Sequence, residues 1–251
     1  SVNQGATMDN HFAWWYLSNQ PLNVHRLTDD LITTSLHYSP KRRERFLHGR
    51  ALLAELMFQL YGYEKLPRLA VAPSGRPCFV DPTLPDFSLG YAGSVIALML
   101  GTNGKVGMDV EIIRARQGGF IHLQQQYITS GEKIWIDGQA DRLEATTQLW
   151  AIRESVLKIS GLGTSGLQTL RLLPGAGKLR STVTPQVETI SAIQGEIAWA
   201  CSKSPTLGQL NYWLMDQEEN QLVNITAEKQ AELKESASYL RFTSNTPIQT
   251  A

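Results

Sequence analysis

Two acidic residues, Asp109 and Glu111, stand in the stretch KVGMDVEIIRAR (105–116), where Val106, Met108, Val110, Ile112 and Ile113 are apolar. Separated by one residue, the two side chains leave the same face of an extended chain. Carboxylates this close repel and raise each other's pKa unless a cation lies between them. Burying them unpaired costs several kcal/mol. A third acid, Glu154, lies in LEATTQLWAIRESVLKIS (143–160), where Trp150, Glu154 and Lys158 step by four and share one helical face. Two acids from a strand and one from a helix would make a hard, all-oxygen site suited to Mg2+, which keeps positions open for water and phosphate oxygens. Simpler readings exist for each part. A DxE pair is ordinary on the wet face of an antiparallel strand. Glu154 and Lys158 would form an exposed i,i+4 pair contributing about 0.3 to 0.5 kcal/mol, on a face pointing away from the Leu149/Ile152/Val156 stripe.

The elements that must position these residues follow from pattern and punctuation. HFAWWY (11–16) reads as a strand dense in aromatics. SPKRRERFLHGRALLAELMFQLYG opens on Ser39 and Pro40 and ends at Gly62, the signals of a helix start and stop, with Phe46, Leu53, Met57 and Leu60 on one face and Leu56 beside it. VAPSGRPCFV is a Gly/Pro turn between extended segments, and FSLGYAGSVIALMLGTNGKVGMDVEII reads as two or three strands with an Asn-Gly hairpin turn in TNGK. TSGEKIWI opens a short helix from Thr129 or Ser130. Leu149, Ile152, Val156 and Ile159 form the apolar stripe of the 143–160 helix, which ends in GLGTSG. EIAWACSKS and LNYWLMD are strand-like. The expected organisation is therefore α+β, with an N-terminal half at 1–106, a C-terminal half carrying the acids at 107–225, and a polar tail at 226–251 that begins helical and ends disordered. Each half has one main helix plus several strands, the pattern of an internal duplication.

Composition narrows the function class. The 251 residues carry 23 basic and 23 acidic side chains, so net charge offers nothing in favour of nucleic acid. Cys78 and Cys201 are far apart, and the five histidines show neither HxH nor HxxxH spacing, which argues against a disulfide framework or a structural zinc. No apolar run approaches the roughly 18 residues that span a bilayer. A cytoplasmic protein is expected.

The order GMDVE (107–111), then LWAIRESVLK (149–158), then a glycine-rich end (161–163) resembles the 4'-phosphopantetheinyl transferases, in particular the surfactin-synthetase-activating type. That resemblance implies two similar α+β halves in one chain, related by pseudo-two-fold symmetry. It places Asp109, Glu111 and Glu154 on the family's magnesium ligands, Lys158 on its catalytic lysine and Trp150 on its tryptophan. Arg153 stands where the family has a lysine, keeping the charge but altering reach. Upstream, RRERFLHGRALL resembles the family's basic helix, with Arg50 on the arginine that contacts the 3'-phosphate of coenzyme A. SGRPCF resembles its G-K-P turn, with Arg76 for the lysine. Where the family carries Ser-His, this chain has Gly90-Tyr91, leaving a backbone N–H and a phenol but no imidazolium.

The resemblance implies transfer of the 4'-phosphopantetheine arm of coenzyme A to a serine of an apo acyl or peptidyl carrier protein, with release of adenosine 3',5'-bisphosphate. Glu154 or a metal-bound water would take the serine proton and Lys158 would neutralise the departing phosphate. Lys41, Arg42, Arg43 and Arg45 are either a solvated helix face or a dock for phosphates or an acidic carrier. A monomer, with no nucleic-acid or membrane partner, is expected. The alternatives are a degenerate member that binds coenzyme A or a carrier protein without catalysing transfer and, last, an unrelated Mg2+-dependent phosphohydrolase, for which no His/Asp cluster is seen.

Overall fold

The computed structural model describes residues 10–17, 23–114, 125–216, 218–219 and 221–244. Its α+β architecture divides into two compact units, residues 1–103 with 208–231 and residues 104–207 with 232–251.

In the first unit, β1 (Asn10–Tyr16) runs antiparallel to β5 (Val95–Gly101), which pairs with β4 (Asp86–Ala92). On its other edge β1 takes β11 (Leu210–Asp216) in parallel, and β12 (Gln221–Asn224) closes the sheet as β12-β11-β1-β5-β4. A short helix, α1 (Asp29–Ser35), precedes α2 (Pro40–Tyr61). Pro40 sits at the first turn of α2, where its missing N–H goes unnoticed, and Gly62 stops it with φ 78°. The buried face of α2, including Leu52, Leu53, Leu56, Met57 and Leu60, packs with Ala13, Trp15, Ile96 and Leu98. The small hairpin of β2 (Leu69–Val71) and β3 (Pro77–Phe79) lies between helix and sheet in sequence.

In the second unit, β6 (Lys105–Ile112) is antiparallel to β10 (Ile197–Ser204), which pairs with β9 (Glu188–Gln194). β13 (Leu240–Ser244), β8 (Lys178–Ser181) and β7 (Leu170–Leu173) complete the order β6-β10-β9-β13-β8-β7. A capping box between Thr129 and Glu132 starts α3 (Ser130–Asp137). Asp141 caps α4 (Arg142–Ser160), and Gly161 ends it with φ 73°. A 9-residue helix, α5 (Ala227–Glu235), follows β12. The connectivity β1–α2–β4–β5 thus recurs as β6–α4–β9–β10, each with an intervening antiparallel strand pair.

Two expectations differ from what is observed. TNGK does not turn a hairpin: β5 and β6 belong to different sheets, and Asn103, with φ 59°, stands at the junction between units. The true tight hairpins use Gly93-Ser94 and Gly195-Glu196, with Gly93 at φ 57° and Gly195 at φ 58°. Glycine at the first of two loop residues is the signature of a type II′ turn. The expected boundaries of 1–106, 107–225 and 226–251 also differ at the end of the chain. β11 and β12 complete the first unit's sheet, and β13 inserts between β9 and β8, because strand edges are satisfied by partners distant in sequence. Residues 245–251, the end expected to be disordered, lie outside the described residues.

Candidate functional site

In the second unit β6 crosses α4 at Gly107, where any Cβ would collide with the Ser155 carbonyl and meet Ile159. Hydroxyls bind the same layer together: Ser155 and Ser202 lie 2.6 Å apart, as do Thr189 and Ser202. This close approach sets Asp109 against the last turns of α4. Lys158 Nζ donates to the Met108 carbonyl at 2.8 Å and to Asp109 Oδ1 at 3.3 Å. The second Asp109 oxygen, Oδ2, is buried without a hydrogen-bond partner.

Burial pushes the Asp109 carboxyl well above the usual carboxylate range; Lys158 opposes the shift, while Glu111 and Glu154 add to it. Burial likewise raises Glu154, with Lys158 opposing and Glu111 adding. Lys158 is the direct contact of Asp109, while Glu111 and Glu154 act on it through their charge. Among the described residues, however, no three His, Cys, Asp or Glu side chains already stand at the spacing of a metal cage. The ammonium of Lys158 is the cation beside Asp109 instead. The buried Asp109 Oδ2 is a hard oxygen donor of the kind magnesium takes.

Two neighbours behave differently from the surface-helix pattern. Trp150 is buried with Leu149, Ile152 and Val156 in the core. The tryptophan thus belongs to the core of the second unit although it steps by four with Glu154 and Lys158. Lys158 turns to the strand, so the exposed Glu154–Lys158 pair is not what defines this face. Arg153 is enclosed: one guanidinium nitrogen contacts Glu132 Oε1 at 2.6 Å and Oε2 at 2.8 Å, with side-chain exposures of 1% and 0%. Arginine, with its fixed charge and planar fork, suits that buried pair.

The first unit holds a cavity of about 520 Å³ lined by Ser39, Lys41, Arg42, Arg45, Phe46, Arg50, Pro77, Leu89 and Tyr91. Four cations face it. Arg50 stacks 3.7 Å from the Phe46 ring centroid and Arg42 3.9 Å from that of Tyr38. Arg42, Phe46 and Arg50 step by four, a basic-aromatic stripe that the sequence displays but that reads as an ordinary helix face. Phe46 belongs to this stripe more than to the core. Arg43 turns away, donating to the Ser35 hydroxyl at 3.3 Å. Arg76 does not line the cavity. Its guanidinium reaches Asp86 at 2.9 Å and the Phe87 carbonyl at 2.5 Å, fastening the β2–β3 hairpin to β4. Gly90 is buried in β4 opposite Ala97, outside the lining, whereas Tyr91 is in it.

An α+β unit with a G-x-D-x-E strand against a helix bearing Glu154 and Lys158 defines a class: residues 105–202 match the 4'-phosphopantetheinyl transferase superfamily. The chain belongs to that superfamily, transferases that use coenzyme A and act on carrier proteins. Among its relatives, the uncharacterized protein YieE of Escherichia coli K12 is 37% identical over 212 residues, covering 83% of this chain and 85% of YieE. A putative 4'-phosphopantetheinyl transferase of Haemophilus influenzae is 31% identical over 180 residues, covering 67% and 75%. The 4'-phosphopantetheinyl transferase AcpT of Escherichia coli K12 is 34% identical over 122 residues, covering 48% and 59%. No helix among the described residues is long and apolar enough to cross a membrane.

Proposed function

We propose that this chain moves the 4'-phosphopantetheine arm of coenzyme A onto a serine hydroxyl of an apo acyl or peptidyl carrier protein, as a monomer in the cytoplasm. The serine oxygen forms a bond to the β-phosphorus as the bond to the bridging oxygen breaks, and adenosine 3',5'-bisphosphate leaves. The observation that carries this reading is the Asp109 carboxylate, with one oxygen buried and unpartnered beside Glu111, Glu154 and Lys158.

Asp109, Glu111 and Glu154 would hold Mg2+, which when bound neutralises charge building on the pyrophosphate. Glu154, its pKa raised by burial, suits the role of acceptor for the serine proton. Lys158, which contacts Asp109, would turn its ammonium to the departing phosphate. Arg50, Arg42, Arg45 and Lys41 supply charge-assisted contacts to the nucleotide phosphates, with Tyr91 beside them. Arg76 and Gly90 serve indirectly, by fixing β4 and so the Tyr91 that follows.

The test is the mass gain of an apo carrier protein incubated with coenzyme A and Mg2+. Wild-type protein is expected to add the pantetheine arm; Asp109→Ala and Glu154→Ala are expected to add none while keeping the wild-type circular dichroism spectrum. Transfer at the wild-type rate by either variant removes the assignment. The Lys158–Asp109 contact supports one other reading, a module that binds coenzyme A without turnover. Calorimetric binding with no mass gain on a panel of carrier proteins would select it.

A further inference from the structure

A glycine in mid-helix is an anomaly in α2. Position 49 is the tenth residue of the helix and is buried, where glycine costs about 1 kcal/mol relative to alanine. Its φ is ordinary, so backbone conformation does not explain it. Space does. A Cβ built on Gly49 would collide with the Tyr91 hydroxyl and lie 3.1 Å from two of its ring carbons. Tyr91 therefore lies across the bare backbone of α2, one residue from Arg50.

Arg50 is restrained on several sides. Its guanidinium stacks on Phe46 at 3.7 Å, and Nη1 donates to the Phe46 carbonyl at 3.3 Å. Tyr91 and Arg50 line the same cavity, and their side chains act on each other electrostatically. Nε remains buried with no partner, a donor left over in a wall of the cavity. Arg45 ties the far end of β4 to the helix by donating to the Gly93 carbonyl at 3.3 Å. Together these contacts hold Tyr91 and Arg50 in one fixed arrangement.

We infer that Tyr91, seated on Gly49, is the positioning residue that aims Arg50 at a phosphate in this cavity. This rests on the reading that the cavity takes the nucleotide phosphates of coenzyme A. A phenol suits the task because its hydroxyl accepts one guanidinium N–H while the rest of the fork stays free for an anion. Gly49 is the notch without which the ring cannot lie flat enough to reach.

The experiment is calorimetric titration of the full chain with adenosine 3',5'-bisphosphate. The variants are Tyr91→Phe, Arg50→Gln, the pair together, and Gly49→Ala. Tyr91→Phe is expected to weaken binding roughly tenfold, the scale of one hydrogen bond to a charged group. In the Arg50→Gln background the same change is expected to cost less than twofold, because its effect runs through Arg50. Gly49→Ala is expected to weaken binding at least as much as Tyr91→Phe. Adding Tyr91→Phe to Gly49→Ala then costs nothing further, since the closest contact is gone. Unchanged affinity in Tyr91→Phe overturns the inference and leaves the cavity's assignment standing. A full tenfold loss from Tyr91→Phe without Arg50 also overturns it, by making Tyr91 a direct ligand contact. A wild-type protein that binds neither the bisphosphate nor coenzyme A overturns both this inference and the reading beneath it.

Discussion

The units share the connectivity strand–helix–hairpin, yet one carries a carboxylate cluster and the other a cationic cavity. Their ladders align at the hairpin turns. Tyr16 pairs with Val95, the first residue after one turn, and Ile112 pairs with Ile197, the first after the other. Counting back, Ala13 and Trp15 of β1 occupy the ladder positions that Asp109 and Glu111 occupy in β6. The helices align at their terminal glycines: Glu55 lies seven residues before Gly62 and Glu154 seven before Gly161. Glu55, however, is paired with Arg26 at 2.9 Å, and that arginine also sits 3.5 Å over Phe58. One scaffold position thus hosts a neutralised glutamate in the first unit and, in the second, a glutamate surrounded by other acids. Close packing is also achieved from opposite sides. The helix yields at Gly49 to admit a tyrosine, whereas the strand yields at Gly107 to admit a helix carbonyl. The lesson is that the fold fixes where a side chain points, and its immediate partners decide whether it does chemistry.

The sharpest way to break this contrast is to treat both glutamates alike. Glu154→Gln is expected to lower the transfer rate by about a thousandfold or more, and Glu55→Gln to leave it within about twofold, in a carrier-protein mass assay. Equal losses would erase the distinction. Next in size is Arg153→Met, which strands the Glu132 charge in the interior. Urea unfolding is expected to show a loss of about 3 to 5 kcal/mol. Arg26→Met should cost less, because the Arg26 side chain is 15% exposed and water helps screen Glu55. Gly107→Ala forces β6 from the Ser155 carbonyl and is expected to lower stability by about 1 to 3 kcal/mol. The smallest effect is the pH dependence contributed by His48 in the first unit, where all the histidines among the described residues lie. Burial lowers the His48 pKa from 6.5, with Glu44 opposing. The folded state then binds fewer protons than the unfolded, so this contribution is present above pH 6.5 and is lost as pH falls through it toward the folded value. Thermal melts across pH 5 to 8 should show this slope reduced in His48→Gln.

How much of this was legible depended on whether the determinant was local. Pro40, Gly62 and Gly161 announce their helix ends because capping is settled within a turn. The strand–helix acid pattern was legible because alternation and four-residue steps fix which side chains share a face. Non-local partners were not. Nothing near β1 says that β11, some 200 residues later, will pair with it. Asn103 looks like a hairpin residue because its positive φ is a local property, whereas the sheet that β6 joins is decided by β10. Arg76 sits in a turn that suggests a phosphate ligand, but Asp86, ten residues away, claims its guanidinium. Trp150 shares the four-residue step of Glu154 and Lys158, and only the packed core shows that it is buried.

The chain passes from the first unit to the second after Asn103, returns at Gly208 and leaves again after Ala231. During synthesis on the ribosome, β1 therefore waits with one edge bare until β11 emerges, by which time β6, β9 and β10 have all been made. A nascent strand with an unpaired edge can recruit a stranger. The period of greatest aggregation hazard thus belongs to the unit translated first, and a truncated message ending before residue 210 would leave that hazard permanent.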